Sequence, residues 1–210
     1  MAKCKKKKSK AHGIMGRSDI PYAQRMALQR KSDIVLNRDH AAKIAMYCLS
    51  VAMNEEEGIG YKRLVRFSFR HFALIAEFYE DIDVGMARAK RRLEEMGMPI
   101  SGELFTYEAE GQTKREREIG NHRLQSVQIA LICGAIAMND EFGFGQERQT
   151  RINKKANEHS ARYAKEGEQF LLEKMEGIGF MIVDGEANAC VDDDGNPISV
   201  KKWREQHAEM

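Results

Sequence analysis

The sequence predicts a mainly α-helical fold: a tandem duplication of a three-helix module packed through two buried helices, with a small C-terminal β hairpin and a disordered basic N-terminal arm. Three observations carry this. The stretch Ala52-Met53-Asn54-Glu55-Glu56-Glu57-Gly58-Ile59-Gly60-Tyr61-Lys62-Arg63 returns 85 positions later as Ala137-Met138-Asn139-Asp140-Glu141-Phe142-Gly143-Phe144-Gly145-Gln146-Glu147-Arg148. The segments leading into both copies are apolar nearly all the way round, and a helix without a polar face has to be central. Three prolines among 210 residues, with 31% charged residues, favour helices over a turn-rich sandwich.

The match runs without a gap from Ile44/Ile129 through Cys48/Cys133 to Arg66/Arg151, then resumes at Leu93-Glu94-Glu95-Met96 and Leu172-Glu173-Lys174-Met175. It divides the chain into a basic arm and short helix (1–38), a first module (39–98), a linker (99–120), a second module (121–179) and a hairpin with a terminal helix (180–210). Residues 1–38 hold eleven Lys or Arg against Asp19 and Asp33, within a chain whose net charge is only +2, so the remainder is acidic. An anionic partner would be felt first at the arm.

In chain order, Lys5-Lys6-Lys7-Lys8 repel one another and bring no apolar residue, which predicts disorder in the unbound state. Ser18 and Asp19 before Pro21 mark a helix start, and Tyr22, Met26, Leu28 and Gln29 continue a short helix to about Lys31. The first buried helix is expected over 39–56 and its repeat over 121–141, with Gly134 and Ala135 letting the two approach closely. Gly58 and Gly143 stand where a helix ends in a residue able to take positive φ, and Gly60 and Gly145 let the next helix begin at once. Acids just before these glycines oppose the helix dipole. Their simplest partner is the arginine one turn into the next helix. A structural corner of Glu56, Gly58, Gly60 and Arg63, repeated as Glu141, Gly143, Gly145 and Arg148, is the expectation.

Second helices are expected over 60–80 and 145–167. Lys62, Arg63, Arg66 and Arg70 on the first, and Arg148, Arg151 and Lys155 on the second, form two basic ridges that would suit a phosphate backbone. Third helices follow over 84–96 and 168–175. Beyond Gly179 the short runs Phe180-Met181-Ile182-Val183 and Ala189-Cys190-Val191, with Asp184-Gly185 between them, read as a hairpin. Trp203 lies in a final helix that it would anchor by packing.

Catalytic patterns are scarce. The six histidines fall in no ligand spacing, and Cys4, Cys48, Cys133 and Cys190 lack metal-site pairing and read as reduced thiols. No nucleotide-binding glycine loop is present. Asp192-Asp193-Asp194-Gly195 fails as a calcium loop, because Lys201 would fill the twelfth position in place of a bidentate Glu. Helical nucleotide pyrophosphatases use acidic pairs on helices, and Glu55, Glu56, Glu80 and Asp83 could be drawn into such a set, but in the wrong order. No cofactor and no metal are expected. No run of about 20 apolar residues suggests a membrane span, and no apolar signal core follows the charged N-terminus, which points to the cytoplasm.

The copy from Ala137 to Arg148 resembles a group of uncharacterised proteins encoded by phages and prophages of Gram-positive bacteria, whose signature is Ala-Leu-His/Asn-Asp-Glu-Phe-Gly-Phe-Gly-x-x-Arg. In the first copy Glu57 and Ile59 replace its two Phe. The likeness covers the two modules and implies a phage-type genome context, with no catalytic residues attached. The expected function is a non-enzymatic accessory protein binding DNA or RNA through Lys5, Lys6, Lys7, Lys8 and the two ridges. The alternatives are a phage factor that binds a host protein, and a metal-dependent nucleotide hydrolase. Oligomeric state is not legible, and a homo-oligomer is compatible with the sequence.

Overall fold

A computed structural model of the chain describes residues 22–79, 82–98 and 113–207. Among these, seven helices and one two-stranded antiparallel sheet follow in the order α1 (Tyr22–Glu57), α2 (Tyr61–Tyr79), α3 (Ile82–Glu95), α4 (Lys114–Phe142), α5 (Gln146–Glu166), α6 (Glu168–Ile178), β1 (Met181–Val183), β2 (Glu186–Asn188) and α7 (Val200–Gln206). The lysine arm, the Ser18–Pro21 helix start and most of the expected linker lie outside the described residues. No described helix is long and apolar enough to cross a membrane.

The centre is the pair α1 and α4. Every residue from Ile44 to Met53 is buried, and Ile129, Ala130, Ile132, Cys133, Ile136, Ala137 and Met138 are their counterparts on α4. The two helices run in the same direction, since Asp33 meets Arg115 early in each and Leu49 meets Gly134 later on. Leu49 and Gly134 are equivalent positions of the sequence repeat. A Cβ at Gly134 would stand 2.7 Å from Leu49 Cδ1, so the missing side chain lets a fully buried leucine lie against the facing backbone.

Both expected corners form, with matching backbones. Gly58 has φ +63° and Gly143 φ +65°. In each, the glycine N–H donates to the carbonyl four residues back (Asn54, 3.1 Å; Asn139, 2.8 Å) and the next residue donates to the carbonyl of Met53 or Met138. Each corner asparagine also donates its side-chain amide forward, Asn54 to the Ile59 carbonyl and Asn139 to that of Phe144. Ile59 and Phe144 tuck back and are buried.

The structure departs from sequence expectation in how these parts combine. α2 and α3 pack chiefly on α4, and α5 and α6 pack on α1, so each copy lays its later helices across the buried helix of the other. The copies therefore share one interlocked core built on the expected pair of buried helices. The short N-terminal helix and the first buried helix are continuous as α1, because no Gly or Pro interrupts 22–57 and Asp33 is held by Arg115 of α4. α4 begins seven residues before Asn121. Thr113 accepts from the Glu116 N–H while the Glu116 carboxylate accepts from the Thr113 N–H, a reciprocal cap.

The hairpin turns at Asp184-Gly185, both at positive φ, as expected, but its second strand is Glu186–Asn188 and not 189–191. A two-residue turn sets this register, pairing Val183 with Glu186. Tyr47 on α1 accepts the Ala187 N–H at 2.8 Å, and the Tyr61 hydroxyl both accepts from and donates to the Cys190 backbone. These contacts dock the hairpin on the helical core. Trp203 stacks on His207, the residue that caps the C-terminus of α7, and is half-buried.

A Cβ at Gly58 or Gly143 meets no atom within 4 Å, so substitution there tests backbone conformation alone. Gly58→Ala and Gly143→Ala are each expected to lower stability by about 1 kcal/mol, the cost of holding a side chain in the left-handed region. Urea unfolding of each variant and of the double variant measures the losses.

Candidate nucleic-acid interface

The interlocking decides where the basic side chains point. Five acids, Glu55, Glu56 and Glu57 at the end of α1 and Asp140 and Glu141 at the end of α4, sit where exposed carbonyls already concentrate negative potential. The bases that meet Glu55, Glu57 and Asp140 come from the opposite copy. Lys155 of α5 faces Glu55 (3.7 Å), and Arg70, its repeat equivalent on α2, pairs with Asp140, the equivalent of Glu55, at 2.8 Å. Arg148 approaches Glu57 (3.8 Å), while its equivalent Arg63 lies 4.8 Å over the ring of Phe142, the equivalent of Glu57. One arginine position thus reaches the opposite copy through an ion pair at Arg148, which also lies 5.2 Å over the ring of Phe144, and through a cation–π contact at Arg63. The third helices complete each set: Lys174 of α6 binds Glu55 (2.8 Å) and Arg92 of α3 binds Asp140 (2.9 Å).

This overturns the local corner salt bridge. Arg63 and Arg148 do not pair with Glu56 and Glu141, and among the described residues neither of these acids has an ion pair. The chain leaves each corner toward the other copy, so the arginine one turn later faces a carboxylate or ring of that copy.

The two ends differ in charge balance. At the α5 end, Glu55 meets Lys155, Lys174 and the buried His159 (3.0 Å), and Glu57 meets Arg148 and Arg151. Glu147 and Glu158 add two further pairs within α5. Burial disfavours the charge on Glu55, but the hydrogen bond from Lys174 and the neighbouring His159 more than offset this and hold its carboxyl below the usual range. Arg148, Arg151 and Lys155 are committed to these carboxylates, and the expected second ridge is neutralised.

At the α2 end, one carboxylate, Asp140, receives both Arg70 and Arg92, with Arg63 beside it on Phe142. Lys62 and Arg66 are exposed and have no carboxylate partner among the described residues. Phe69 and Phe72 on the same helix are about half exposed, and Phe69 stands three residues from Arg66, one turn along the outer face. The α2 end therefore carries positive charge in excess, with aromatic rings at its surface.

Comparison of the chain with protein-family models, curated proteins and solved structures found no match.

Beneath this face lies His71. It stacks on Phe67 (5.7 Å), which in turn stacks on Phe142, and its Nε2–H donates to the Ala130 carbonyl at 2.8 Å, while Nδ1 is buried without a partner. Burial pushes its pKa down to about 4, against the smaller effect of that hydrogen bond. The Cys48 and Cys133 thiols are pushed up to about 12, again by burial, and are poor nucleophiles. Among the described residues no three His, Cys, Asp or Glu side chains converge on a possible metal position. Arg92, Lys174 and His159 were missed in the sequence. The first two fall outside the ungapped repeat, and His159 is opposite Leu74, with no ligand-like spacing.

His71 imposes a pH dependence whose sign follows from its lowered pKa. The unfolded chain takes up the proton first, so stability is undiminished above about pH 6.5 and is lost as pH falls from there to about 4. The full loss is about 3 kcal/mol. His71→Gln, which keeps a donor and removes the titration, is expected to flatten stability across that window, measured by urea unfolding from pH 7 to 4.

Proposed function

We propose that the chain is a non-enzymatic, phage-type accessory protein of the host-cell cytoplasm that binds nucleic acid through its N-terminal lysines and the outer face of α2, with a preference for unpaired strands. The observation that carries this reading is the gathering of Arg63, Arg70 and Arg92 around Asp140 and Phe142, flanked by Lys62 and Arg66, which have no carboxylate partner among the described residues. Guanidinium groups fixed in this way meet phosphates without first losing their own conformational freedom. Phe69 favours single strands: a splayed base can stack on an exposed ring, for about 1–3 kcal/mol, whereas a duplex keeps its bases to itself.

The proposal is narrower than two ridges. Arg148, Arg151 and Lys155 pair with Glu57 and Glu55, and the contacts proposed are those of Lys62, Arg63, Arg66 and Arg70, together with those of Lys5, Lys6, Lys7 and Lys8. Binding by a surface of this kind weakens steeply with salt.

Fluorescence anisotropy with labelled single-stranded and duplex oligonucleotides over a salt series tests it. The paired change Lys62→Gln and Arg66→Gln should weaken binding and reduce the salt slope by about 1 to 2. Phe69→Ala should cost about tenfold for single strands and little for duplex. Arg148→Gln should leave affinity unchanged. Absence of binding to either oligonucleotide at low salt would overturn the proposal, and a protein partner retained from host lysate after nuclease treatment would favour a protein-binding factor instead.

A further inference from the structure

Between α1, α4 and α5 lies a cavity of about 350 Å³, within the size range of small-molecule sites. Its floor is apolar, built from Ile44 and Ala45 of α1, Val127 and Leu131 of α4, and Ala156 of α5. Polar groups are confined to other lining positions, among them Arg123 and a hydrogen-bonded pair in which His40 Nε2 meets the Tyr163 hydroxyl at 3.1 Å. Arg123 is exposed and has no carboxylate partner among the described residues.

The sequence repeat shows what makes the space here. At the equivalent place α2 sets His71 against α4, where the imidazole fills the gap and donates to the Ala130 carbonyl. The equivalents of His71 and Ala130 are Ala156 and Ala45, both in the cavity wall. Two neighbours change in the same sense, Phe72 to Asn157 and Ile75 to Ser160, so α5 presents shorter or more polar side chains where α2 presents large apolar ones. Cys48 in the wall is a neutral thiol, its ionisation pushed up to about 12 by burial, and adds no charge. An apolar floor with one guanidinium that has no carboxylate partner among the described residues selects a molecule of matching polarity.

We propose that this cavity binds a small amphipathic carboxylate, its apolar body lying over Ile44, Val127 and Leu131 and its anionic head paired with Arg123. The site is independent of the nucleic-acid face, since it is lined by α5 and not α2. The guanidinium supplies the charge-assisted hydrogen bonds and the floor supplies the burial.

Isothermal titration calorimetry of the full chain with decanoate, and with decanol as its neutral counterpart, tests the assignment. Decanoate should bind one to one and more tightly than decanol. Arg123→Gln should weaken decanoate about tenfold and leave decanol unchanged, because only the head loses a partner. Ser160→Ile and Ala156→Leu, which restore bulk to the α5 wall, should abolish binding of both, with thermal unfolding followed to show that each variant is folded. If Ala156→Leu does not fold, Ser160→Ile decides the point. No binding of decanoate to the unaltered protein, or binding insensitive to both Arg123→Gln and Ser160→Ile, overturns the proposal.

Discussion

The structure depends on one constraint: the stretches 44–53 of α1 and 129–138 of α4 have no polar face, so each must be covered on every side. Pressed together at Leu49 and Gly134, they shield one side of each other. The remaining surface of each is covered by the second and third helices of the opposite copy, α2 and α3 on α4, α5 and α6 on α1. Burial of this kind is non-directional, which is why it tolerates Ile, Met, Cys and Ala interchangeably along both helices. Specificity has to come from elsewhere, and the corner glycines provide it by fixing the angle at which each chain leaves its buried helix.

The crossing also resolves an electrostatic problem. Acids at the end of a helix add to its negative potential, so Glu55, Glu57 and Asp140 would be costly in isolation. The crossing helices bring Lys155, Lys174, Arg148 and Arg151 to one end and Arg70 and Arg92 to the other. Such pairs are partly exposed and individually modest in energy, but their geometry repeats between the copies. Where the repeat diverges, function has room to enter. Phe142 in place of Glu57 leaves the α2 end with fewer acids, and Ala156 in place of His71 leaves a cavity beside α5.

Local features were legible because they are written in local chemistry. The positive-φ glycines, the apolar girth of both buried helices, and the Asp-Gly turn each depend on residues close in sequence. Thr113-Lys114-Arg115-Glu116 also carries the spacing of a reciprocal cap, obscured by the run of charges around it. What was not legible is which surface each amphipathic stripe faces. The inward positions of α2, Leu64 through Phe78, are the same whether the helix folds back on its own copy or reaches the other, and periodicity does not distinguish the two. The assignment of Arg63 and Arg148 to their own corners failed for that reason, and the second basic ridge with it. His71 shows a similar gap, because a buried, neutral imidazole and an exposed one look alike in sequence.

The exchange of helices between copies is the claim on which the rest stands, and producing residues 1–98 alone tests it most directly. Without α5 and α6 the apolar surface of α1 has no cover, so a monomer of this half should show no cooperative thermal transition, folding at most as a dimer in which two copies of α1 cover each other. A monomeric half that unfolds cooperatively, with protected amides along 44–53, would contradict it.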